Sequence, residues 1–184
     1  SWPRHVINSW LCTKDAPNQV LASPEHPPAT LRRRNNVDGF VSNHGRDMTQ
    51  TICILDDAFP PLLKMISDPL LVLFYLGDAN VMAQQSIAIV GARKCTTVGK
   101  LVAEKLAADL AERGVCTVSG LAYGIDAAAH KGSLSRTRGY TAAFLGAGLG
   151  NTHPRQNKYL EDKIVAQGGA LFSEYPHQTQ PRPY

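Results

Sequence analysis

A chain of 184 residues, 43% hydrophobic and 18% charged, has the make-up of a globular protein with room for one good domain and further material. It has no run of about 18 apolar residues, which argues against a membrane span, and it opens on Ser1-Trp2-Pro3-Arg4 without the apolar stretch of a secretory signal. The net charge of +4 is uneven: 12 Lys and Arg stand against 7 Asp and Glu in residues 86–184, 1 against 4 in residues 51–85, and 6 against 4 in residues 1–50.

Residues 1–50 hold five prolines and the Arg32-Arg33-Arg34 triplet and show no sustained helical or strand period, so they read as an irregular segment. The triplet is either a phosphate-binding patch or a solvated surface. Residues 51–85 read as a lead-in extension packed on the sheet that follows. There a short apolar run precedes the Asp56-Asp57 turn. Pro60-Pro61 opens a short helix over 62–66, Asp68-Pro69 ends it, and LLVLFYLG is a buried strand closed by Gly77-Asp78.

From residue 86 the pattern becomes regular. SIAIVG (86–91) is a strand. A helix over 98–113, with Leu101, Val102, Leu106 and Leu110 near helical spacing, is capped by Thr96 or Thr97 and stopped by Gly114. VCTVSG (115–120) is the next strand, 124–134 a small-residue helix, YTAAFLG (140–146) the third strand, 155–167 a helix, and GALFSE (169–174) the fourth strand. Strands recur about every 25–30 residues with helices between them, which is the spacing of right-handed βαβ units. The expected fold is α/β: a Rossmann-like parallel sheet, nearly continuously apolar in its strands, with helices on both faces.

In such a sheet ligands bind at the carboxyl ends of the strands. These ends carry Gly91-Ala92-Arg93-Lys94, Ser119-Gly120, Gly146-Ala147-Gly148 followed by HPRQN (153–157), and Ser173-Glu174. The basic excess of residues 86–184 points to an anionic ligand, with a solvated basic face as the alternative. Arg93 and Arg155 offer fixed charge and paired donors for phosphate oxygens.

The familiar nucleotide signatures fail. Arg93 occupies the second glycine position of a dinucleotide fingerprint, and Gly99-Lys100 is followed by Leu101 and not by Ser or Thr. Ser119, Asp126 and His130 could be read as a nucleophilic triad, but position 117 is threonine, so no nucleophile elbow exists. Asp126 and His130 share a helix face, and a structural tie between loop and helix is the preferred reading. No catalytic residue, metal cluster or cofactor is expected. The four cysteines, Cys12, Cys53, Cys95 and Cys116, form no CxxC pair and fit a reducing cytoplasm.

The blocks IAIVGARKCTTVG, GVCTVSGLAYGIDAAAHKGSL, AAFLGAGLGNTHPRQNKYL and GGALFSEYP resemble, in order and spacing, the DNA-processing protein A family (DprA, also called Smf). FPPLLKMISDPLLVLFYLGD resembles its lead-in, so the likeness covers about residues 52–184. It implies a non-enzymatic, cytoplasmic module that binds single-stranded DNA, protects incoming DNA in natural transformation and helps load a RecA-type recombinase, with homodimerisation as a family-based expectation. It implies DNA contacts at Arg93 and Lys94 in the GARK block, at Ser119 and Gly120 in the second-strand loop, and at Arg155, Asn157 and Lys158 in the third. Tyr123 and Tyr159 are stacking candidates or packed side chains. The chain stops at PRPY, where the family pattern continues into further strands and an arginine- and asparagine-rich motif. The competing reading is an enzyme of the nucleotide phosphoribohydrolase class on a related fold. Its P-G-G-x-G-T-x-x-E signature is not found in these residues.

Overall fold

The computed structural model describes residues 49–181. Of the predicted irregular segment 1–50, residues 1–48, with the arginine triplet and Cys12, lie outside the described residues, and its last residue, Gln50, opens the first strand. Six strands run β1 (Gln50–Cys53), β2 (Val72–Gly77), β3 (Ser86–Ala88), β4 (Cys116–Ser119), β5 (Thr141–Leu145) and β6 (Ala170–Ser173). Four α-helices are α1 (Pro61–Lys64), α2 (Thr97–Glu112), α3 (Ile125–Leu134) and α4 (Lys158–Ala166). Short 3-10 turns occupy Ala79–Ala83 and Arg155–Asn157, so the helix expected over 155–167 begins as a 3-10 turn.

The strands form one sheet in the order β1-β2-β6-β5-β4-β3. β3 to β6 pair in parallel, as the helix-separated spacing requires. β2 pairs antiparallel with both β1 and β6, so the lead-in joins the sheet edge to edge and the whole is mixed. Each crossover β3–α2–β4–α3–β5–α4–β6 steps one place the same way along the sheet. Right-handed connections therefore stack α2, α3 and α4 on one face.

Alternation along the strands feeds two cores. Ala143 and Leu171 face the helices and meet Ala127 of α3 and Leu160 and Ile164 of α4. Ala142, Ala170 and Phe172 face the other way and meet Phe59, Val81 and Leu63 of the lead-in, whose α1 and 3-10 turn cover that face. Tyr75, Phe172 and Phe144 lie in register across β2, β6 and β5, with ring centroids 6.1 and 5.0 Å apart. That aromatic row couples the antiparallel edge to the parallel centre.

Helix α2 departs from its predicted amphipathicity. Thr96 caps it as expected, its hydroxyl accepting from Gly99 N at 3.1 Å. Yet Leu101, Val102 and Leu106 are 61, 60 and 48% exposed, while Ala103, Ala107, Ala108 and Ala111 are buried. The alanine stripe wins because α2 and α3 lie nearly backbone to backbone. A Cβ on Gly132 of α3 would stand 2.0 Å from the Glu104 carbonyl of α2, so only small side chains fit between them.

Candidate functional site

The loops after β3, β4 and β5 meet around SGLAYGID. Leu121 adopts a left-handed φ of 57° and is fully buried, which turns the chain sharply after Gly120. Gly124, φ 82°, sits where a Cβ would be 2.2 Å from Ala92 O and 2.6 Å from Arg93 O. The backbone of the second loop thus packs directly on the GARK loop and sets where Arg93 leaves it.

Three of the residues expected to touch DNA are occupied inside the protein. Ser119 is buried and its Oγ donates to Ile89 O at 2.6 Å, tying β4 to the end of β3. Gly120 N donates to Asp126 Oδ2 at 3.2 Å. Asn157, 6% exposed, donates through Nδ2 to Leu121 O at 2.8 Å and Ala122 O at 3.2 Å, anchoring HPRQN to the SGLAYGID loop. The buried loop carbonyls need those donors, so the amide is committed.

Arg93, Lys94, Arg155 and Lys158 remain exposed. Among the described residues, Arg93 and Arg155 form no salt bridge. Lys158 differs: its Nζ lies 2.6 Å from Asp162 and 3.4 Å from Glu161. Partial burial pulls its ammonium down, but the Asp162 hydrogen bond and the Glu161 charge outweigh this and hold it above its ordinary pKa.

Arg93, Tyr123, His153 and Pro154 line a narrow crevice, and Tyr123 donates to Gln156 Oε1. His153 also borders an open cleft of about 540 Å³, walled by Asn151, Thr152, Arg155 and Lys158. Asn151 Nδ2 and Thr152 Oγ1, of residues in that wall, are buried with no hydrogen-bond partner among the described residues. The two stacking candidates separate here. Tyr159 carries the Lys131 and Lys163 ammoniums 5.9 Å from its ring centroid, whereas Tyr123 lies beside Arg93. Asn151 and Thr152 were missed by the sequence reading, which had named His153 only as the first residue of HPRQN. Their signal was the unassigned stretch between Gly150 and HPRQN.

The nucleophilic triad does not assemble. His130 is fully buried, and its Nδ1 lies 2.7 Å from Thr141 Oγ1, whose single proton goes to Thr117 O at 2.6 Å. Nδ1 therefore carries the ring proton and donates to Thr141. Burial pulls the imidazole down to a pKa of about 3. Asp126 is spent on backbone N–H groups and Ser119 on a carbonyl. Burial also pushes the Cys116 thiol up to about 11, which leaves it protonated and inert. Among the described residues no group of three or more His, Cys, Asp and Glu is placed to hold a metal ion, and no helix is long and apolar enough to cross a membrane.

The family model of DNA recombination-mediator protein A matches residues 50–184. The chain belongs to that family. Protein Smf of Escherichia coli is 32% identical over 184 residues and spans the whole chain, so likeness to a relative runs through the first 50 residues as well. The chain covers only 41% of that relative's length. The X-ray structure of DNA processing protein A (DprA) from Streptococcus pneumoniae superposes with a TM-score of 0.66 at 37% identity, over 74% of this chain and 47% of that one. DprA from Helicobacter pylori, described for its single-stranded DNA binding mode, gives 0.62 at 28% identity, over 74% and 60%. This family shares the α/β, Rossmann-like domain seen here.

Proposed function

We propose that this chain is the single-stranded DNA-binding portion of a recombination mediator, and that DNA runs along the rim where the β3, β4 and β5 loops converge. The observation that carries the reading is the pair Arg93 and Arg155, exposed and without carboxylate partners among the described residues, beside the Tyr123–His153 crevice and the adjoining cleft. Guanidinium forks suit phosphate oxygens, and an aromatic edge suits an unstacked base. Lys94 adds charge, and Lys158 contributes in proportion as its carboxylate partners release it. Ser119, Gly120 and Asn157 act through the loops they anchor and leave phosphate contact to the arginines. The proposed role needs no catalysis, and the Ser119, His130 and Cys116 side chains are all held inside the fold. In its biological setting it protects incoming single strands and assists a RecA-type recombinase, as a homodimer.

The test is fluorescence anisotropy of a labelled oligo-dT across a salt series. The chain binds with a salt-dependent affinity, and Arg93→Ala and Arg155→Ala each weaken it roughly tenfold and flatten the log–log salt slope by about 1. A folded chain that shows no salt-sensitive binding counts against the reading. Release of free base from a nucleoside monophosphate favours the phosphoribohydrolase reading instead. Pull-down of a RecA-type protein with and without DNA checks the partner.

A further inference from the structure

In an open α/β sheet the glycine-rich turn after a strand and the N-terminus of the next helix normally cradle a nucleotide phosphate. Here the corresponding groups already hold an anion that belongs to the chain. Asp126, in the first turn of α3 and 6% exposed, accepts from Gly91 N through Oδ1 and from Gly120 N through Oδ2, both at 3.2 Å. One carboxylate therefore bridges the carboxyl ends of β3 and β4. We propose that Asp126 is a built-in phosphate surrogate, which closes the strand-end cradle to nucleotides and leaves the guanidinium rim as the place where an external polyanion is met.

Gly120 leaves room for this internal ligand, and Gly91 for the side chain of Ile125, the residue before Asp126. A Cβ at Gly120 would lie 2.9 Å from Asp126 Oδ2, and a Cβ at Gly91 would lie 2.8 Å from the Ile125 side chain. The carboxylate also sits where the helix dipole favours negative charge. A free phosphate competing for these two N–H groups has to displace a tethered charge that already occupies both, an intramolecular competitor. This explains how a nucleotide-type fold lacks the nucleotide fingerprints. The part of the proposal concerning the polyanion rests on the single-stranded DNA reading; the closure of the cradle does not.

The experiment uses the full chain with Asp126→Ala, which keeps Cβ and removes a group the size of formate. Thermal unfolding is compared in sodium formate and sodium chloride at equal ionic strength. D126A is expected to unfold about 10 °C below the parent in chloride. It then recovers at least half of that loss, saturably, in formate, while the parent and D126N show no formate-specific change. Formate and chloride acting alike on D126A, or formate stabilising the parent equally, overturns the proposal. If D126A does not fold in chloride, folding in formate alone supports it, and failure in both salts overturns it. The amide resonances of Gly91 and Gly120 in the parent stay unmoved on titration with AMP; a saturable shift of both overturns the closure. Oligo-dT affinity in the same formate series is expected to rise with the recovered fold. Loss of DNA binding by the parent itself would sink the DNA reading and leave the formate result standing.

Discussion

His130 sits on the same helix face as Asp126, yet the two do unrelated work. Asp126 reaches up to the strand ends, while His130 is sealed beneath α3, donating to Thr141 with Nε2 left unpartnered in the core. A positive charge has no compensation there, so the folded chain holds the ring neutral down to a pKa of about 3. The unfolded chain takes up this proton at about 6.5. His130 therefore costs nothing above pH 6.5 and withdraws stability as pH falls from about 6.5 toward about 3. Urea unfolding across this range should show a loss approaching about 1.4 kcal/mol per pH unit from this group. In His130→Gln that component should vanish, even if the variant is less stable throughout. An unchanged slope would mean that another group carries the acid sensitivity.

At the scale of elements, the α2–α3 pair shows how one glycine sets a helix orientation. With Gly132 against the Glu104 carbonyl, the alanine face of α2 turns inward and the larger stripe turns out. Gly132→Ala should force the helices apart and cost about 1–3 kcal/mol in urea unfolding. Leu106→Ser, on the exposed stripe, should change stability by no more than about 0.5 kcal/mol. The opposite ranking would restore the leucine-inward packing that the 98–113 pattern suggests. That pattern is misleading for a physical reason. Periodicity shows that a helix has two faces, but volume decides which face is buried when the neighbour approaches at backbone distance.

Across the whole molecule, the lead-in and the βαβ units share one core. Phe59, completely buried, covers the sheet face opposite α3 and α4, and β2 lends its backbone to β6. Phe59→Ala should cost about 3–5 kcal/mol. The amides of β1 and β2 should exchange with the same opening free energy as those of β6. A separate, earlier transition for residues 50–77 would show the lead-in to be a dispensable appendage.

The local elements were legible because their causes are local. Thr96 caps α2, Gly77 and Gly168 close β2 and α4 with positive φ, and short apolar runs recur at βαβ spacing. The motif blocks likewise marked the loops that converge at the candidate site, since glycines and paired polar residues at strand ends are visible in order along the chain. The division of labour within those loops was hidden. Asn157 and Ser119 read like ligand contacts, and only the arrival of Leu121 O and Ile89 O beside them turned them inward. The antiparallel union of β2 with β6, the outward leucine stripe of α2, and the carboxylate joining Gly91 to Gly120 likewise depend on residues far apart in sequence. Propensity, capping and turn chemistry act over a few residues and are written into composition. Pairing, burial and hydrogen-bond allocation are settled by which distant groups compete for the same space.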